Sequence, residues 1–386
     1  MRICIVGGAL QGMELAYLSM RAGYDAAVMD RRPDAPALSM CGSPLLMDPV
    51  ADPEGAKEIF EGFDAVIPAC ENDSLLEALC SICPEADVPL LFDMASYRIS
   101  RSKIESNRLM HSIGVPIPQP WPDCGFPVIV KPSGQSGSVG VSVAKCQQDL
   151  EKGLETVRSL GDEPVIQEFV SGKSVSVEVI GDGSASRSYV TTEVCLDSNY
   201  DCKMVRCNPD ILSWAEDDEF GRIGRSIADA MHLNALMDVE AIRTERGLRV
   251  LEVDARFPSQ TPAAIEAATG INLLSELVSM SMDRPSATNR RNGSSVYRHV
   301  VFKDGMLRAC GEKEFSKVRS PTVRRGLFGS DYTITDYSPG SKEWRATIIV
   351  SAGTRSEADR RSDSVISRMM DECGAESFAD RSPEMI

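Results

Sequence analysis

Two short extended runs between residues 237 and 262 contain an unusually high number of charged residues. This feature limits most strongly how the chain can fold. The runs 237–242 and 248–256 are predicted to be β-strands joined by a short charged turn. Charged side chains occupy alternate positions of the second run and so project from one face of the strand. These side chains are Glu252, Asp254 and Arg256. Glu240 on the first strand can lie alongside them.

Carboxylates on a covered hairpin need a compensating cation, because burying an unpaired charge is costly. Mg²⁺ suits this position, since it binds a few carboxylates together with substrate phosphates. The sequence therefore predicts a magnesium site at Glu240, Glu252 and Asp254. A salt-bridged hairpin on a solvated surface is the alternative that the pattern leaves open.

Composition restricts the partners of the chain. The formal net charge is −16 over 386 residues, whereas nucleic-acid-binding domains usually have a basic surface, so we expect no nucleic-acid partner. No apolar run approaches the roughly 18 residues that span a bilayer. Met1 leads directly into a predicted strand with no signal peptide, so we expect no membrane partner and a cytoplasmic location. The length allows two or three domains.

Twelve cysteines are scattered through the chain and match no zinc-site spacing. Cys80 and Cys83 form one CxxC pair, which leaves a thioredoxin-type motif as an alternative. Most of the thiols are expected to be small reduced core residues of a cytosolic protein.

Residues 1–93 alternate short strands with helices, the pattern of a parallel βαβ sheet. The predicted strands are the run RICIVGG and residues 26–30, 45–48, 64–70 and 88–93. A glycine-rich turn after the first strand, with Asp30 downstream, resembles a dinucleotide fingerprint but lacks its spacing, so nicotinamide binding stays an alternative. Open α/β sheets bind ligands at the carboxyl ends of their strands. The residues at such ends are Leu10, Gln11, Glu71 and Asn72.

A second group of residues has the character of a phosphate site. A predicted helix at 99–114 carries Lys103, and a predicted strand at 128–132 carries Lys131 just before a glycine- and serine-rich loop. Glycine and serine let backbone N–H groups approach phosphate oxygens closely, and lysine adds a point charge. The predicted phosphate contacts are Lys103, Lys131, Ser133 and Ser138. A plain flexible loop and a solvated Lys103 are the alternatives.

Further downstream, a predicted strand at 164–172 can present its backbone to an adenine ring, with Glu168 accepting from the ribose. Its predicted nucleotide contacts are Gln167, Glu168, Phe169 and Val170. Residues 196–209 are predicted to be a polar loop that closes over a substrate. Ser259 or Gln260 lies near the start of a helix whose free N–H groups favour an anion. The tail at 375–386 is expected to fray.

The order of these parts resembles the ATP-grasp superfamily of carboxylate–amine ligases. The resemblance rests on a lysine before a glycine loop, the Q-E-F-V segment, V-E-A-I and L-E-V-D-A-R-F-P-S. Asp254 stands where the superfamily usually has asparagine. The resemblance implies an α/β ATP-grasp fold with a Rossmann-like parallel-sheet domain at 1–93. It also implies a nucleotide-binding region at 94–290, with a lid at about 126–171, and a C-terminal α+β part at 291–386.

Within the superfamily, the LQG, YDCxMV and DARFPSQTP segments are similar to the pyrrolysine-biosynthesis ligase family, which joins 3-methyl-D-ornithine to the side-chain amine of L-lysine. Ala9 and Lys203 depart from the lysine and histidine expected at those positions. The resemblance implies ATP and Mg²⁺ as cofactors and an acyl-phosphate intermediate. It also implies that Lys131 and Arg256 assist the reaction, with Lys103 neutralising further phosphate oxygens.

The resemblance further implies small-molecule partners, namely methylornithine, L-lysine and ATP. The substrate contacts it implies are Leu10, Gln11, Glu71, Asn72, Glu178, Asp201, Asp238, Arg256, Ser259, Gln260 and Thr261. A homodimer is among the expected assemblies. Other functions stay open: an ATP-grasp ligase for another amino acid or dipeptide, a non-catalytic amino-acid or nucleotide sensor, and a nicotinamide-dependent dehydrogenase.

Overall fold

The computed structural model describes residues 1–283 and 292–383, which form two compact units. Unit 1 consists of Met1–Met94, Val194–Ile211 and Phe257–Pro383. Unit 2 consists of Ala95–Glu193 and Leu212–Arg256. The predicted boundary between residues 290 and 291 lies outside the described residues.

The strands of both units are short, and most carry an alternating or fully buried pattern. In chain order they are β1 (Arg2–Val6), β2 (Asp25–Asp30), β3 (Ser43–Leu46), β4 (Ala65–Pro68), β5 (Val128–Pro132), β6 (Ser142–Ala144), β7 (Pro164–Glu168), β8 (Lys173–Gly181), β9 (Ser186–Ser188), β10 (Thr192–Leu196), β11 (Cys202–Cys207), β12 (Leu236–Thr244), β13 (Gly247–Asp254), β14 (Ser294–Lys303), β15 (Met306–Ala309), β16 (Thr322–Arg325), β17 (Tyr332–Thr335), β18 (Glu343–Ala352) and β19 (Phe378–Ala379).

The helices connect and cover these strands. They are α1 (Leu10–Ala22), α2 (Pro53–Phe60), α3 (Asp73–Glu85), α4 (Met94–Ser100), α5 (Lys103–Ser112), α6 (Gln147–Ser159), α7 (Trp214–Met231), α8 (Thr261–Thr269), α9 (Leu273–Ser281), α10 (Glu312–Phe315) and α11 (Arg355–Cys373). The predicted helix at 99–114 is divided, because Ser102 interrupts it and caps α5 by accepting from the Glu105 N–H. Throughout the described stretches, every helix is too short or too polar to cross a bilayer.

The N-terminal part of unit 1 is a parallel sheet, as predicted, and its strand order is β3-β2-β1-β4. The predicted strand at 88–93 is wrong, because only Leu90 bridges to Val66. Pro89 has no N–H to donate at that point. Helix α1 lies very close to β1: a Cβ atom on Gly12 would stand 2.1 Å from the Gly7 carbonyl oxygen. This close approach fixes the start of α1 above the end of β1.

The rest of unit 1 is built on an antiparallel series of strands in the order β11-β14-β18-β17-β16, with α11 packed against β18 and β14. Trp344 and Phe302 stack at the centre of its core. The predicted loop at 196–209 is partly wrong, because β11 occupies Cys202–Cys207 and pairs with β14.

The predicted fraying of the tail is also wrong for its described part. Strand β19 pairs with β15, and the buried Lys203 ammonium group lies 2.6 Å from an oxygen of Asp380. Arg298 on β14 also binds the Asp380 carboxylate. Lys203 and Arg298 thus fix the tail through ion pairs with Asp380. The tail sequence alone does not predict these distant partners.

Unit 2 contains two sheets. In one, β13, β12 and β8 are neighbouring antiparallel strands, and β9 pairs with β8. Helix α7 packs on β8, and its first turn is fixed by a capping box between Ser213 and Glu216. The other is a three-stranded antiparallel sheet with order β6-β5-β7, whose apolar face packs against α6.

Candidate active site

One face of the β8-β12-β13 sheet in unit 2 carries a patch of carboxylates. The register places Glu178, Asp238 and Asp254 side by side across the three strands. Two residues further along, Glu240 lies directly opposite Glu252 on the neighbouring strand. Because side chains two positions apart share a face, all five carboxylates belong to the same side of the sheet. The sequence predicted this alternation for Glu252 and Asp254, and the register adds Glu178 and Asp238.

Cationic side chains meet this carboxylate face from two directions. The Lys103 Nζ atom, from the start of α5, lies 2.7 Å from Glu252 Oε1. Arg256 lies two residues beyond the end of β13, and its guanidinium is 2.6 Å from Asp254 Oδ2. Both ion pairs are partly shielded from solvent, so the Coulomb attraction within each pair is screened less than in an exposed pair.

Lys131 is one of three buried residues among the predicted phosphate contacts, with Lys103 and Ser133. Burial lowers the pKa of its ammonium group to about 8, and Lys103 acts in the same direction, while the carboxylates of Glu252 and Glu240 oppose the shift. Its Nζ donates to the Leu251 carbonyl oxygen at 3.2 Å. Lys131 and Lys103 therefore both stand at the β13 side of the carboxylate face.

Asp238 lies in a buried, negatively charged environment on this face. Burial raises the pKa of its carboxyl group well above the usual value, and the charges of Asp254 and Glu240 raise it further. Arg256 opposes the shift, while Glu178 adds to it. A nearby cation stabilises the ionised form of a buried carboxyl group that is surrounded by like charges. This face therefore favours a cationic ligand.

The donor set of Glu240, Glu252 and Asp254 fits a magnesium ion only in part. Within the described ranges, no three Asp, Glu, His or Cys side chains are clustered closely enough to hold a metal ion alone. Mg²⁺ commonly takes one or two protein carboxylates and completes its shell with water and phosphate oxygens. The Glu240–Glu252 pair across the strands supplies that kind of partial oxygen set. These residues fit an ion that arrives with a triphosphate.

The predicted phosphate loop lies between β5 and β6. Ser133 is buried, and its carbonyl oxygen accepts from the Lys103 backbone N–H at 3.0 Å. The Lys103 ammonium group donates to the Gln135 carbonyl oxygen at 2.7 Å. Ser138 is exposed with a φ of 57°, next to Gly137 in the same left-handed region. The structure thus brings Lys103, Lys131 and Ser133 together and leaves Ser138 at the tip of the loop.

The predicted adenine contacts follow one another along and after β7. Gln167 is buried and pairs with Ile129 of β5, whereas Glu168 is half-buried at the end of the strand. The Glu168 carboxylate accepts from the Gln119 N–H at 3.3 Å. Phe169 and Val170 continue beyond the strand, and the Phe169 N–H donates to Pro127. Backbone bonds to segment 119–127 therefore fix where this segment runs.

In unit 1, Leu10 and Gln11 form the first turn of α1. The Gln11 side-chain amide donates to the Phe257 carbonyl oxygen at 3.2 Å, which joins α1 to the segment before α8. Glu71 and Asn72 are exposed after β4, and the Asn72 side chain caps α3 by accepting from Leu75. The side-chain oxygen of Asn72, a predicted substrate contact, is thus already engaged in capping α3.

Asp201 and the residues before α8 meet the same short helix, α10. The Asp201 carboxylate accepts from the Lys313 N–H at 3.0 Å, and burial raises the pKa of this carboxyl group. Ser259 and Gln260 both donate to Glu312 Oε2, at 3.4 and 3.3 Å. Thr261 is the first residue of α8, and its hydroxyl has no hydrogen-bond partner among the described residues.

A buried polar cluster in unit 1 was not predicted from the sequence. Burial raises the pKa of Glu14 to about 8, with Glu312 acting in the same direction and hydrogen bonds from Gln260 and Tyr297 opposing it. Burial lowers the pKa of His299 to about 3, so the ring is neutral. The available signal was a single carboxylate in the apolar run of α1, LQGMELAYLSM.

Comparisons with known proteins show the family of this chain. An ATP-grasp domain family model matches residues 101–260, the stretch that carries the predicted phosphate loop and the carboxylate face. The 3-methyl-D-ornithine–L-lysine ligase of Methanosarcina barkeri is 38% identical over 88% of this chain and 87% of its own length. The enzyme of the same name from Methanosarcina mazei is 34% identical over 97% of this chain and 96% of its own length.

This chain belongs to the 3-methyl-D-ornithine–L-lysine ligase family. Its fold is the ATP-grasp fold, as predicted. The biotin carboxylase of Campylobacter jejuni aligns with a TM-score of 0.74 at 15% identity, covering 95% of this chain and 91% of that one. The N5-carboxyaminoimidazole ribonucleotide synthetase of Thermus thermophilus aligns with a TM-score of 0.67 at 19% identity, covering 96% and 98%. At these identities the likeness is one of fold.

Two positions set this member of the ligase family apart from the predicted pattern. Ala9 precedes α1 and makes no side-chain cap, where the family resemblance implies a lysine. Lys203, at the predicted histidine position, is occupied with the tail residues Asp380, Arg381 and Ser382. The second departure therefore has a structural explanation within unit 1.

Proposed function

We propose that this chain is an ATP-dependent ligase that joins the carboxyl group of (3R)-3-methyl-D-ornithine to the ε-amine of L-lysine, in pyrrolysine biosynthesis. The observation that carries the proposal is the identity of 38% with the Methanosarcina barkeri ligase over 88% of the chain. The carboxylate face with its lysines supports the same chemistry, because transfer of a phosphoryl group needs both charge types near the triphosphate.

Unit 2 carries the groups proposed to handle ATP. Lys103 and Lys131 neutralise phosphate oxygens, Ser133 and Ser138 belong to the covering loop, and segment 167–170 offers backbone groups to the adenine. Glu240, Glu252 and Asp254 are proposed to hold Mg²⁺, which supplies Lewis-acid stabilisation of the triphosphate charge. One ATP-grasp neighbour, a Hydrogenobacter thermophilus carboxylase domain, is described as a complex with MgADP.

The proposed reaction has two steps. A methylornithine carboxylate oxygen attacks the γ-phosphorus of ATP, the bond to the bridging oxygen breaks, and ADP leaves. The lysine ε-amine then attacks the acyl carbon, phosphate leaves, and the amine loses its extra proton to solvent or to phosphate. Arg256 and Lys131 are proposed to stabilise the charge that develops on the transferred group. Positioning and electrostatics supply most of the rate.

Two diamino acids need carboxylates for their ammonium groups and donors for their carboxylates. Glu178 and Asp238 on the carboxylate face, and Glu71 and Asp201 in unit 1, are proposed for the ammonium groups. The donors proposed from unit 1 are Gln11, Asn72, Ser259, Gln260 and Thr261, with Leu10 as an apolar contact. Arg256 is proposed to bind a substrate carboxylate.

The direct test is a product analysis by mass spectrometry after incubation with ATP, Mg²⁺, L-lysine and (3R)-3-methyl-D-ornithine. We expect one amide product whose mass is the sum of the two amino acids less one water, with ADP and phosphate released in equal amounts. Each substrate is then omitted in turn, and other amino acids are supplied as a panel. Turnover with a different pair but not with this one would retain the chemistry and refute the proposed substrates.

A matched pair of variants in one hairpin tests the metal proposal. Glu252→Gln is expected to abolish turnover while the circular dichroism spectrum stays unchanged, because one charged oxygen donor is lost. Glu245→Gln, at the exposed turn of the same hairpin, is expected to keep wild-type turnover. Full activity in Glu252→Gln would contradict the assignment of the metal site.

We also propose a homodimer and a cytoplasmic location. One fold neighbour is described as a domain dimer, which supports the first proposal. Size-exclusion chromatography with light scattering gives the mass directly, and a monomer at micromolar concentration would refute the dimer. Fractionation of the source cells tests the location.

A further inference from the structure

The residue that precedes α8 has an uncommon backbone conformation. Gln260 has φ 72° and ψ −57°, and the Thr261 N–H donates to the Ser259 carbonyl oxygen at 2.8 Å. These angles and this bond define the rarer form of γ-turn, which is strained in a residue with a side chain. Such a conformation costs on the order of 1–3 kcal/mol and persists only where surrounding contacts impose it.

The contacts that impose the turn are buried and polar. The Gln260 N–H donates to Glu14 Oε2, and the Gln260 side-chain nitrogen lies 3.1 Å from His299 Nε2 and 3.3 Å from Glu312 Oε2. Glu14 and Gln260 are 1% and 3% exposed. The other carboxyl oxygen of Glu14 accepts from the Tyr297 hydroxyl. Glu14 thus connects the turn to both α1 and β14.

Packing alone gives no reason for a carboxyl group at position 14. The residues beside it in the α1 sequence, Met13, Leu15 and Ala16, are buried and apolar, so α1 is a helix of the core. Burying a carboxyl group in such a helix costs desolvation free energy that only its hydrogen bonds can offset, whereas an apolar residue would carry no such cost. The bond to Gln260 is therefore the feature of Glu14 that calls for an explanation.

The turn determines where the start of α8 presents its polar groups. Thr261 is 6% exposed, and its hydroxyl has no partner among the described residues. Ser259, on the other side of the turn, donates to Glu312. A change in the Gln260 backbone would rotate both residues and the first N–H groups of the helix, because they follow directly from these two torsion angles.

We propose that Glu14 is a positioning residue: by accepting a hydrogen bond from the Gln260 N–H, it holds the γ-turn at Ser259–Thr261 and so orients the start of α8 toward the carboxylate of an amino-acid substrate. This inference rests on the proposed ligase function. Glu14 does not touch substrate in this scheme and takes no part in proton transfer. Its effect is therefore on the binding of an amino acid and leaves the binding of ATP unchanged.

The kinetic test compares Glu14→Met with Glu14→Gln. Methionine has nearly the same length but accepts no strong hydrogen bond, so we expect the KM for lysine or methylornithine to rise at least about tenfold, the equivalent of one hydrogen bond. The KM for ATP should stay within about twofold. Glutamine keeps the acceptor and should restore the wild-type KM. An unchanged KM for both amino acids in Glu14→Met, or an equal rise for all three substrates, would overturn the proposal.

A control and a double variant separate positioning from a general packing effect. Ser19→Ala removes another buried polar group of α1, one without a partner among the described residues, and should leave every KM unchanged. Glycine adopts positive φ freely. Once Gln260→Gly has released the strain of the turn, adding Glu14→Met should therefore cause little further change. Fully additive effects would contradict the link between the two residues.

Hydrogen exchange tests the same link without any activity. In the wild-type protein, the Gln260 amide should exchange as slowly as the amides of α8, and Glu14→Met should accelerate exchange in peptides covering 257–261 but not in those covering β18. Rapid exchange of this segment in the wild type would overturn the proposal even if no variant folds. Inactive wild-type protein with a slow Gln260 amide would refute the ligase proposal and leave the role of Glu14 in the turn standing.

Discussion

Lys131 is buried beside the carboxylate face of unit 2, where its ammonium group donates to the Leu251 carbonyl oxygen. The sequence predicted its position before a glycine-rich loop but not its burial, because burial depends on β13, which lies more than a hundred residues further on in the sequence. A buried cation acts on a phosphate at lower effective dielectric than a surface lysine does. Buried cationic residues such as Lys131 are therefore expected to contribute most to the affinity for the nucleotide.

Replacing Lys131 tests this expectation. Lys131→Met keeps the length of the side chain and removes the charge, so we expect the affinity for ATP to fall by about 10- to 100-fold, the range for a lost charged hydrogen bond. Isothermal titration calorimetry measures the change. Lys152→Met, on the exposed surface of α6 in the same unit, should bind ATP as the wild type does. Equal affinities in all three proteins would contradict the phosphate role of Lys131.

Glu14 gives a pH-dependent stability whose sign can be worked out. Burial raises its pKa from 4.5 to about 8 in the folded protein, Glu312 adds to the shift, and Gln260 and Tyr297 oppose it. Between these two pH values the folded protein holds a proton that the unfolded chain releases, so the contribution of Glu14 to stability falls as the pH rises through this window.

Glu14→Gln removes this titration and is expected to gain stability relative to the wild type as the pH rises from 5 to 8. The gain in the free energy of unfolding should be at least about 1 kcal/mol over that range. Urea unfolding at several pH values measures it. Glu85→Gln, at an exposed position of α3, should show no such trend. A constant difference between Glu14→Gln and wild type across the range would refute the raised pKa.

At the scale of elements, the sequence predicts most strands and helices but fails where a strand depends on distant partners. Residues 88–93 have an apolar strand pattern, yet Pro89 limits them to one bridge. Residues 202–207 were predicted to lie within a polar loop at 196–209, yet they form β11, which pairs with β14 and binds the tail. Local pattern contains no information about such pairings.

The carboxylate face illustrates the same limit. Alternation along β13 predicted that Glu252 and Asp254 share a face, and this is confirmed by the register. The pairing of Asp238 with both Glu178 and Asp254 depends on how three strands align, which no single strand specifies. The sequence therefore predicts which carboxylates lie on this face better than it predicts which of them are adjacent across the strands.

The contact between α1 and β1 gives a prediction for a whole element. A Cβ atom on Gly12 would stand 2.1 Å from the Gly7 carbonyl oxygen, so Gly12→Ala must push the helix away from the strand. We expect a loss of about 2 kcal/mol or more in the free energy of unfolding, because overpacking against backbone cannot be relieved by a rotamer change. Gly42→Ala, where no atom lies within 4 Å of the added Cβ, is the control for urea unfolding. Equal stability of the two variants would contradict the close approach.

For the molecule as a whole, ion pairs attach the C-terminal tail to the strands of unit 1. Asp380 binds both Lys203 and Arg298, two cations that are 3% and 6% exposed on β11 and β14. Asp380→Ala leaves these cations without that partner, so we expect a loss of about 2–3 kcal/mol in stability. Chemical unfolding of Asp380→Ala beside Asp371→Ala, an exposed position of α11, measures the effect. An unchanged midpoint in Asp380→Ala would show that the ion pairs of Asp380 contribute nothing to the stability of the protein.

The division of the chain between the two units has a consequence for the order in which they form on the ribosome. Unit 2 has all of its described residues once Arg256 is made, whereas unit 1 needs stretches from the beginning, the middle and the last part of the chain. At a synthesis rate of about 5–20 residues per second, β11 waits several seconds for β14 to emerge. Nascent chains therefore expose an unpaired β11 edge during translation, and ribosome-associated chaperones are expected to engage them in that interval.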